Sequence, residues 1–471
     1  MGKNYKKDSK LFYGIQIIVD ILLVNLGFYT AYLYRFGGQM TSENIDPYLN
    51  LIPYISLAAF IFFHTYGVFR WAYKPLIDTI YSVFLSLVFI EITTMAMTFF
   101  NRGFSFPRSI FFISFVIQLI YLSIWKFIIH KVYYMIYKKK RVLILADESD
   151  SSEIAKKIIL EGKYQFEIKY ICETVNDNIY KLIEDIDVVI IGPKIDSKIK
   201  EKIISKCIGL NKIIYIVPEL FEITLSNAKL TQIDDIPAFY IENIYLSQEQ
   251  RILKRTFDII VSLIGIVISS PIMLACYILI RIYDHGPAIY SQERVTRNNK
   301  KFKLYKFRTM VVNAERLTGP VLASDKDDRI TPIGAVLRST RLDELPQLFN
   351  VLKGDMSIVG PRPERQFFID QFKQYIPDFE YRLTVKAGIT GLAQVLGKYS
   401  TTPEDKLRYD LLYIRNYSFI LDLRIILQTI KIMFMKSSSQ GLKKEKSVEE
   451  ILKSMDYNVY KEVGVTRLEK V

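Results

Sequence analysis

Hydrophobic residues are concentrated near the beginning of the chain, in four long stretches that short polar segments separate. The stretches cover residues 11–34, 48–69, 77–100 and 109–133. Each is close to the ~20 apolar residues that an α-helix needs to cross the hydrocarbon core of a bilayer. The pattern therefore predicts a bundle of four transmembrane helices over residues 1–140.

Basic residues at the ends of these stretches predict how the bundle is oriented. They accumulate in three places: Lys3, Lys6, Lys7 and Lys10 before the first stretch, Arg70 and Lys74 after the second, and Lys138, Lys139, Lys140 and Arg141 after the fourth. The cytoplasmic ends of membrane helices carry such an excess of Lys and Arg. Both ends of the predicted bundle are therefore expected in the cytoplasm.

Three charged residues lie inside the apolar stretches, namely Asp20, Glu91 and Lys126. Charge within a bilayer is costly, so such residues either line a transport path or find polar partners. Three isolated charges do not outline a path. We therefore expect them to make polar contacts between helices of the bundle.

Residues 141–246 alternate between short apolar runs and amphipathic segments. RVLILA, FEIKYIC, DVVIIGP and KIIYIVP are typical of buried parallel strands, and SSEIAKKIILEG is typical of a helix between the first two. This alternation predicts a Rossmann-like α/β domain. After the first strand, however, no glycine occurs before Gly162, so the backbone lacks the fingerprint that lets a pyrophosphate approach. A structural or regulatory role is therefore favoured over dinucleotide binding.

A fifth apolar run, residues 256–282, is interrupted by Ser270 and Pro271. Proline inside a helix removes a backbone hydrogen bond and kinks the helix. A straight helix would carry the following chain across the membrane, whereas a kinked, re-entrant helix would return it to the same side. The run has basic residues on both flanks: Lys254, Arg255 and Arg281. This symmetry favours the re-entrant form, in which serine hydroxyls are candidates to bond the freed carbonyls.

The chain after this run is more polar. Residues 284–416 mix short basic segments with helices, and residues 418–435 form an amphipathic stretch. That stretch either lies on the membrane surface or covers the protein core. Residues 437–471 are charged and are expected to form a solvated helix followed by a loose end.

The composition of the chain limits the ligands and the kinds of catalytic site that can be expected. The net charge is +14, which suits anionic lipid, phosphorylated ligands or nucleic acid. The chain has three cysteines, without a CxxC pair, and three histidines, so neither a zinc site nor a Ser/His/Asp triad is expected. Any catalysis should therefore depend on carboxylates and basic residues.

The best candidate carboxylates are Asp343 and Glu344, in the segment LDELPQLFNVL. They begin what resembles a short helix, whose free N–H groups favour ionised carboxylates. An ionised aspartate is a plausible nucleophile toward phosphorus, and an adjacent glutamate can hold Mg²⁺ together with substrate phosphates. An acidic pair at a helix start is usually only a cap, so the pair gains weight from its neighbours.

These neighbours are basic residues set among glycine and proline turns. They are Lys306 and Arg308 in KLYKFRTM, then Arg329, Arg338 and Arg341, and finally Arg362 in GPRP. Arginine side chains bind phosphate oxygens in a bidentate manner. A single surface arginine would mean little, but so many around one acidic pair predict a phosphate-binding site.

From Lys254 to Met433 the chain resembles the bacterial sugar transferases known as monotopic phosphoglycosyl transferases. The matching segments are KRTFDIIVSLIGIVISSPIM, GPAIYSQERVTRNNKKFKLYKFRTM, RSTRLDELPQLFNVLKGDMSIVGPRPE, KAGITGLAQV and DLLYIRNYSFILDLRIILQTI. They occur in order over most of this region, which is far more specific than a single short motif. The preceding helices and α/β domain resemble the long form of the family, the undecaprenyl-phosphate glucose- or galactose-phosphate transferases.

The resemblance implies roles for several residues. Asp343 would be the nucleophile that accepts the phosphosugar, and Glu344 would be its Mg²⁺-binding partner. Arg338 and Arg362 would contact phosphate. Ser270 and Pro271 would match the Ser-Pro break in the family's re-entrant helix. One departure is visible, because the family commonly has KPGITG where this chain has Ala387.

The resemblance also implies the reaction and its setting. UMP would leave a UDP-sugar first, and undecaprenyl phosphate would then take the hexose 1-phosphate from the enzyme, which begins assembly of an exopolysaccharide, capsule or O-antigen type of glycan. The enzyme would be a multi-pass protein of the bacterial inner membrane, with its catalytic part on the cytoplasmic face. A homodimer is expected from the long form, and no nucleic acid is expected as a partner.

The fold class expected from these patterns is membrane α plus α/β. Four parts are predicted: a four-helix transmembrane domain at 1–140, a Rossmann-like domain at 141–246, a re-entrant helix with an α-rich catalytic domain at 247–436, and a charged tail at 437–471. Three other functions remain as alternatives: a nucleotide-sugar oxidoreductase or epimerase, a non-enzymatic membrane scaffold, and a nucleic-acid binder. The first lacks the glycine fingerprint, and the last lacks a recognisable binding motif.

Overall fold

The computed structural model describes residues 5–38, 41–100, 107–162, 165–174, 178–241, 244–312, 327, 329–398, 401–433, 457–462 and 464–470. The chain divides into two compact units. The first consists of Met1–Val217 and Lys446–Val471, and the second consists of Pro218–Glu445. The first unit thus holds the predicted membrane helices together with the α/β sheet.

The first unit begins with four long helices: α1 (Tyr5–Phe36), α2 (Ser42–Tyr66), α3 (Leu76–Phe100) and α4 (Arg108–Ile136). Helix α1 contacts α2 and α4, and α3 contacts the same two helices. Phe28, Phe63, Leu87 and Leu122 are fully buried in their shared apolar core. These helices, together with a fifth in the second unit, are long and apolar enough to cross a membrane. The predicted stretches are confirmed to within a few residues at each end.

The charged residues inside these helices make the polar contacts expected of them. Lys126 Nζ of α4 lies 2.6 Å from Asp20 Oδ2 of α1, and both side chains are completely buried. Glu91 Oε1 of α3 accepts a hydrogen bond from Ser114 Oγ of α4 at 3.0 Å. Buried charges need partners of this kind. The prediction of polar contacts between the helices is therefore confirmed.

An α/β sheet follows the four helices. Its elements are β1 (Lys140–Leu145), α5 (Glu148–Lys157), β2 (Phe166–Cys172), α6 (Asn178–Leu182), β3 (Val188–Ile191), α7 (Ser197–Gly209) and β4 (Ile213–Ile216). The described part of this unit also contains short helical turns of 3₁₀ or π type at Val68–Tyr73, Ile158–Gly162 and Ile183–Asp185. The four strands are parallel, in the order β2-β1-β3-β4, and all four predicted strands are confirmed.

The first helix of the sheet carries its own carboxylate at its N-terminus. Asp147 caps α5 by accepting a hydrogen bond from the Asp150 N–H at 2.9 Å. Lys194, just after β3, lies 3.3 Å from a carboxylate oxygen of each aspartate. A pyrophosphate at this helix terminus would meet a like charge instead of free N–H groups. The geometry therefore agrees with the missing glycine fingerprint.

The end of the chain differs from the sequence-based expectation. Instead of a helix and a loose end, the described part of 437–471 forms an antiparallel hairpin. Its two strands are β11 (Tyr457–Glu462) and β12 (Val465–Lys470). Strand β12 pairs antiparallel with β2 and extends the sheet to six strands. Leu468 is buried against the sheet core. The charged composition concealed this hairpin, because only one face of an edge strand needs apolar residues.

The second unit holds the remaining elements. They are α8 (Leu220–Leu225), β5 (Lys229–Ile233), β6 (Ile236–Tyr240), α9 (Gln248–Asp284), β7 (Ile289–Thr296), β8 (Lys300–Phe307), α10 (Pro332–Thr340), α11 (Gln347–Lys353), β9 (Ser357–Val359), α12 (Gln366–Lys373), β10 (Gly388–Thr390), α13 (Leu392–Leu396), α14 (Pro403–Arg415) and α15 (Phe419–Met433). Three 3₁₀ segments lie at Arg297–Asn299, Leu342–Glu344 and Pro377–Thr384. Three two-stranded sheets, β5-β6, β7-β8 and β9-β10, are distributed among the helices.

Helix α9 continues through Pro271 without ending. Proline has no N–H to bond the Val267 carbonyl, and the Ser270 Oγ donates a hydrogen bond to that carbonyl at 2.8 Å instead. Ser269 Oγ similarly bonds the Gly265 carbonyl at 2.6 Å. Ser270 therefore compensates for the proline, as the sequence suggested for the serines of this run. The re-entrant path of this helix through a bilayer stays a prediction.

Both halves of α9 pack against other elements of the second unit. Near its beginning, Lys254 Nζ lies 2.7 Å from Asp422 Oδ2 of α15, and both side chains are buried. Near its end, Cys276 packs in an apolar cluster with Phe307 of β8 and Leu337 of α10. Because Asp422 is buried in this way, α15 covers the protein core at that point, which was one of the two roles expected for the amphipathic stretch 418–435.

Candidate active site

The acidic pair lies in a tight turn between two helices. Helix α10 ends at Arg341, whose φ of 56° reverses the chain, and the turn Leu342–Glu344 follows directly. Leu342 and Leu345 pack in the apolar cluster around Phe307 and Leu337 and so anchor both sides of the turn. Helix α11 then begins at Gln347. The carboxylates therefore lie in a turn just before α11, not in the first turn of that helix as predicted, on a backbone that packing holds in place.

Glu344 bridges two of the predicted basic residues. Its Oε1 accepts a hydrogen bond from Lys306 Nζ at 2.8 Å and from an Arg362 guanidinium nitrogen at 2.9 Å. Burial opposes ionisation, but the charges of Lys306 and Arg362 outweigh it and hold the pKa of Glu344 well below its usual range. In turn, the negative charge of Glu344 raises the pKa of Arg362 above its usual value. Glu344 and Arg362 are therefore both charged at neutral pH.

Asp343 lies beside this trio in a more enclosed position. Its exposed fraction is 8 %. Burial and the neighbouring charge of Glu344 raise its pKa to about 6, although Lys306, Arg338 and Arg362 pull the pKa down. At neutral pH the carboxylate is ionised yet poorly solvated. Such a group is more reactive toward an electrophile than a fully hydrated carboxylate.

An asparagine that sequence analysis did not single out fixes Lys306 relative to Glu344. Asn350 is fully buried in α11 and spans to β8, where its Nδ2 donates to the Lys303 carbonyl at 2.7 Å and its Oδ1 accepts from the Tyr305 N–H at 3.0 Å. The helix that follows the acidic pair and the strand that bears Lys306 are thereby joined. A polar residue amid the apolar positions of LFNVL was the available signal.

Close backbone packing holds the loop that carries Arg362. The Gly360 N–H donates to the Thr390 carbonyl at 2.8 Å, and the Gly388 N–H donates to the Pro361 carbonyl at 2.9 Å. A Cβ on Gly388 would come within 2.1 Å of the Gly360 nitrogen, so no other residue fits there without a shift. This explains why GPRP and KAGITG both need glycine. The two motifs form one support rather than two separate phosphate loops.

A buried ion pair supports the same loop from the other side. An Arg382 guanidinium nitrogen donates to the Arg362 carbonyl at 3.0 Å and lies 2.9 Å from Asp410 Oδ2 of α14. Burial raises the pKa of Asp410 to about 6 despite the opposing effect of Arg382. Neither residue was identified from the sequence, because an isolated arginine and a distant aspartate give no local signal.

The other predicted basic residues divide into two groups. Arg338 contributes positive charge at Asp343 and bonds Thr309 Oγ1 through its Nε at 2.9 Å. Arg329 instead forms hydrogen bonds of 2.7 and 2.6 Å to both oxygens of Asp327. Arg308 is buried, and its guanidinium covers Gly286, where a Cβ would come within 2.0 Å of it. Lys306, Arg338 and Arg362 thus act on the acidic pair, whereas the contacts described above for Arg308 and Arg329 are with other residues.

The departure at Ala387 has a structural explanation. The Ala387 N–H donates a hydrogen bond to Thr296 Oγ1 at 3.1 Å, and the same hydroxyl donates to the Asp355 carbonyl at 3.0 Å. Proline could not make the first of these bonds. With alanine instead of proline the turn is less rigid, but it gains a hydrogen bond that links strand β7 to the KAGITG segment.

The donor set fits a magnesium ion that one carboxylate shares with a substrate. Within the described residues, no three His, Cys, Asp or Glu side chains form a metal cage. Glu344 directs Oε1 to its two cationic partners, and its Oε2 forms no hydrogen bond with a described residue. Mg²⁺ commonly binds through one or two carboxylates, with phosphates and waters as its remaining ligands. Glu344 Oε2 is the atom that suits this role.

Comparison with known proteins adds an independent finding. The family model described as bacterial sugar transferase matches residues 249–436, which include every site residue named above. The chain is 54% identical over 131 residues to a putative undecaprenyl-phosphate N-acetylgalactosaminyl 1-phosphate transferase of Bacillus subtilis. That match covers 28% of this chain and 73% of the relative.

Two longer relatives are more distant. A UDP-N-acetylgalactosamine-undecaprenyl-phosphate N-acetylgalactosaminephosphotransferase of Aeromonas hydrophila is 39% identical over 234 residues, which cover 49% of this chain and 54% of the relative. An undecaprenyl-phosphate galactose phosphotransferase of Salmonella typhimurium is 37% identical over 241 residues, with 48% and 50% covered. The chain thus matches about half the length of these two relatives.

Proposed function

The chain belongs to the bacterial sugar transferase family, and from this premise we propose that it transfers a sugar 1-phosphate from a UDP-sugar to undecaprenyl phosphate. The observation that carries the proposal is the adjacent pair of buried Asp343 and partly buried Glu344, with three cations close to it. The names of the relatives support undecaprenyl phosphate as the acceptor. They include both galactose and N-acetylgalactosamine transferases, so the sugar itself is left to experiment.

Asp343 is the proposed nucleophile. One of its carboxylate oxygens attacks the phosphorus that bears the sugar, the bond from that phosphorus to the bridging oxygen breaks, and UMP leaves with the bond electrons. An acyl phosphate joins Asp343 to the sugar. A phosphate oxygen of undecaprenyl phosphate then attacks the same phosphorus, which releases the Asp343 carboxylate and forms a lipid-linked sugar diphosphate. Two displacements at one phosphorus replace one difficult encounter of two anionic substrates.

The surrounding cations have distinct roles in this proposal. Lys306 and Arg362 already neutralise Glu344, and in the complex they also face the diphosphate. Arg338 lies on the Asp343 side and offsets the charge that develops on the transferred phosphoryl group. Arg362 is 44% exposed, which leaves its guanidinium accessible to a ligand. Excess positive charge around the pair allows an anionic nucleophile and an anionic substrate to meet.

Mg²⁺ is the proposed cofactor, held by Glu344. When bound, it would neutralise charge on the diphosphate and on the leaving UMP. The protein's own part is to keep Glu344 ionised through Lys306 and Arg362 and to hold the carboxylate beside Asp343. The turn at Arg341 and the packing of Leu345 maintain this geometry.

The packing of α9 supports a re-entrant rather than a spanning helix. Lys254 and Cys276 contact the same compact unit, although about 30 Å of helix separates them. A straight spanning helix would place these contacts on opposite sides of the hydrocarbon core, which is of similar thickness. The opposite face of α9 exposes apolar side chains to lipid, among them Leu263, Val267 and Leu274. The catalytic part would then stay on the cytoplasmic face of the inner membrane, where UDP-sugars occur.

Self-association is proposed for the hairpin β5-β6. Its two strands pair only with each other among the described strands, and they expose large apolar side chains. These are Leu230, Ile233, Ile236, Phe239 and Tyr240. Exposed apolar hairpins are a hazard unless a partner covers them. A second copy of the chain is the expected partner, and the mass of the detergent-solubilised protein before and after Phe239→Asp would test this.

The reaction is tested by UMP release from purified full-length protein with Mg²⁺, undecaprenyl phosphate and a panel of UDP-sugars. The panel includes UDP-glucose, UDP-galactose and UDP-N-acetylgalactosamine. Release with one donor, together with a matching lipid-linked product, would support the proposal and its role in starting a surface glycan. Folded protein that releases no UMP and forms no lipid product with any donor would favour the scaffold alternative.

A further inference from the structure

A second group of basic side chains lies in the catalytic unit, away from the acidic pair. It consists of Arg255 of α9, Arg297 of the turn between β7 and β8, and Lys386 of the KAGITG segment. All three are partly buried yet accessible. Burial and the positive charges of Arg255 and Arg297 lower the pKa of Lys386. Arg255 and Arg297 are therefore close enough to Lys386 for their charges to act on it.

The geometry around Gly354 shows how the group converges. Gly354 ends α11 with a φ of 97°. The position of a hypothetical Cβ on Gly354 lies 3.4 Å from an Arg255 guanidinium nitrogen and 3.7 Å from Lys386 Nζ. Two cations thus flank one spot that the absent side chain leaves open.

The protein neutralises this group only in part, through the nearby carboxylates of Asp258 and Asp355. Arg255 donates to the Val351 and Leu352 carbonyls, which are neutral acceptors, at 2.6 and 2.8 Å. The side chains of Lys386 and Arg297 form no hydrogen bond or ion pair with any residue that the structure describes.

Two carboxylates are near, but both are engaged. Asp258 Oδ1 accepts hydrogen bonds from Ser357 Oγ and the Ile358 N–H, each at 2.9 Å. Asp355 lies 3.8 Å from Lys353 Nζ. Three cations thus face two carboxylates, one of which also lies near Lys353, so the group keeps an excess of positive charge, and partly buried cations in excess are what an anion site requires.

This group is separate from the acidic pair. The largest charge effects on Asp343 come from Glu344, Lys306, Arg338 and Arg362, whereas the largest on Lys386 come from Arg255, Arg297, Asp258 and Asp355. The seven residues of α11, about 10 Å of helix, lie between the turn that holds Asp343 and Gly354, beside which Arg255 and Lys386 converge.

The group also lies at the start of the exposed apolar surface of α9. Ile252 and Leu253 are 69% and 52% exposed, and exposed apolar side chains recur from there to Ile282. If this surface enters lipid, Arg255 stands at the level where headgroup phosphates lie.

From these observations we infer that Arg255, Arg297 and Lys386 form a second anion site, which binds a phosphate group at the membrane surface. The shared chemistry is a phosphate oxyanion, and its sources are an anionic lipid headgroup or free phosphate. The inference does not depend on the sugar-transfer reaction, because it concerns binding without a donor.

The test measures the thermal unfolding midpoint of the full-length protein in a neutral detergent, without UDP-sugar. Short-chain phosphatidylglycerol, short-chain phosphatidylcholine and inorganic phosphate are titrated separately, since a ligand of the native state raises the midpoint by an amount that grows with the logarithm of its concentration relative to Kd. Stabilisation by phosphatidylglycerol but not phosphatidylcholine would identify an anionic headgroup. Stabilisation by inorganic phosphate at similar concentration would identify free phosphate as the ligand.

Matched variants locate the bound anion. Arg297→Gln and Lys386→Gln should each weaken binding about fivefold, the equivalent of about 1 kcal/mol per basic residue near a membrane surface. Lys300→Gln removes the same charge from an exposed position in the same turn and should leave binding unchanged. Arg297 lies in a surface turn, so its variant should fold even if that of Lys386 does not. Absence of stabilisation by any ligand, or stabilisation lost in Arg362→Gln but retained in Arg297→Gln, would overturn the inference.

Discussion

Two lysine–carboxylate pairs in this protein show opposite uses of similar chemistry. Lys126 and Asp20 form one contact between two membrane helices, and neither side chain is accessible. Glu344 accepts from both Lys306 and Arg362, and all three remain partly accessible. The first pair is electrically complete, whereas the second belongs to a group with excess positive charge and a second carboxylate, Asp343. A neutral, enclosed pair joins helices, while an accessible and unbalanced one can bind an anion.

The largest expected effect is that of Asp343→Asn on turnover. An amide cannot attack phosphorus, so UMP release should fall at least about a thousandfold. Rates would be measured under single-turnover conditions, with Asp405→Asn as a control at an accessible carboxylate outside the acidic pair. Substantial turnover in Asp343→Asn would rule out the covalent mechanism.

The same variant should be more stable than the parent protein. Because burial raises the pKa of Asp343 to about 6 in the folded state, ionisation destabilises the fold at neutral pH by about 3 kcal/mol at most. The penalty is absent below the unfolded pKa near 4 and fully present above pH 6. The difference in unfolding midpoint between Asp343→Asn and the parent should therefore grow between pH 4 and 7. A lower midpoint for the variant at pH 7 would contradict the assigned environment.

Glu344→Gln should have a smaller effect on turnover and the opposite effect on stability. Removal of the charge weakens the proposed metal site, and a loss of about a hundredfold that extra Mg²⁺ partly restores is expected. The pKa of Glu344 is lowered in the folded state, so its charge stabilises the fold above its unfolded pKa, and that stabilisation is lost as pH falls. The variant should thus unfold about 1 kcal/mol more easily at pH 7. Equal stability changes in Asp343→Asn and Glu344→Gln would mean that the two carboxylates do not differ as described.

Replacement of one partner in the membrane pair should affect stability without directly affecting catalysis. Lys126→Met leaves Asp20 buried and uncompensated, which costs about 3 kcal/mol, whereas Lys126→Met with Asp20→Leu removes both charges and should recover most of the loss. Turnover per folded molecule should stay close to that of the parent in both variants. Thermal unfolding in detergent and UMP release measure the two quantities. If the double variant is as unstable as the single one, the pair contributes more to stability than the mutual neutralisation of its two charges.

The sequence was informative where long periodic patterns determine structure. The four membrane helices and the four parallel strands are continuous apolar runs, and the structure places them close to the predicted bounds. The hairpin β11-β12 was missed because its partner, β2, lies almost three hundred residues earlier, and no local pattern reports such a pairing. The supports of the candidate site were missed for the same reason: Arg382 meets Asp410 through the fold, not through a motif. Sequence motifs thus identified the residues near the acidic pair. The residues that support their positions were found only from the structure.

The smallest expected effect concerns Ala387, which links strand β7 to the support of Arg362. Ala387→Pro removes the N–H that Thr296 Oγ1 accepts, at a cost of about 1 kcal/mol, but proline also restricts the unfolded chain and offsets part of that cost. The single variant is therefore a weak test, and the informative experiment is a double-mutant cycle with Thr296→Val. Thr296→Val should cost more in the parent than in Ala387→Pro, with a coupling of about 0.5–1 kcal/mol in urea unfolding. Additive effects would show that the hydrogen bond contributes nothing, and the alanine would then lack the structural reason given for it.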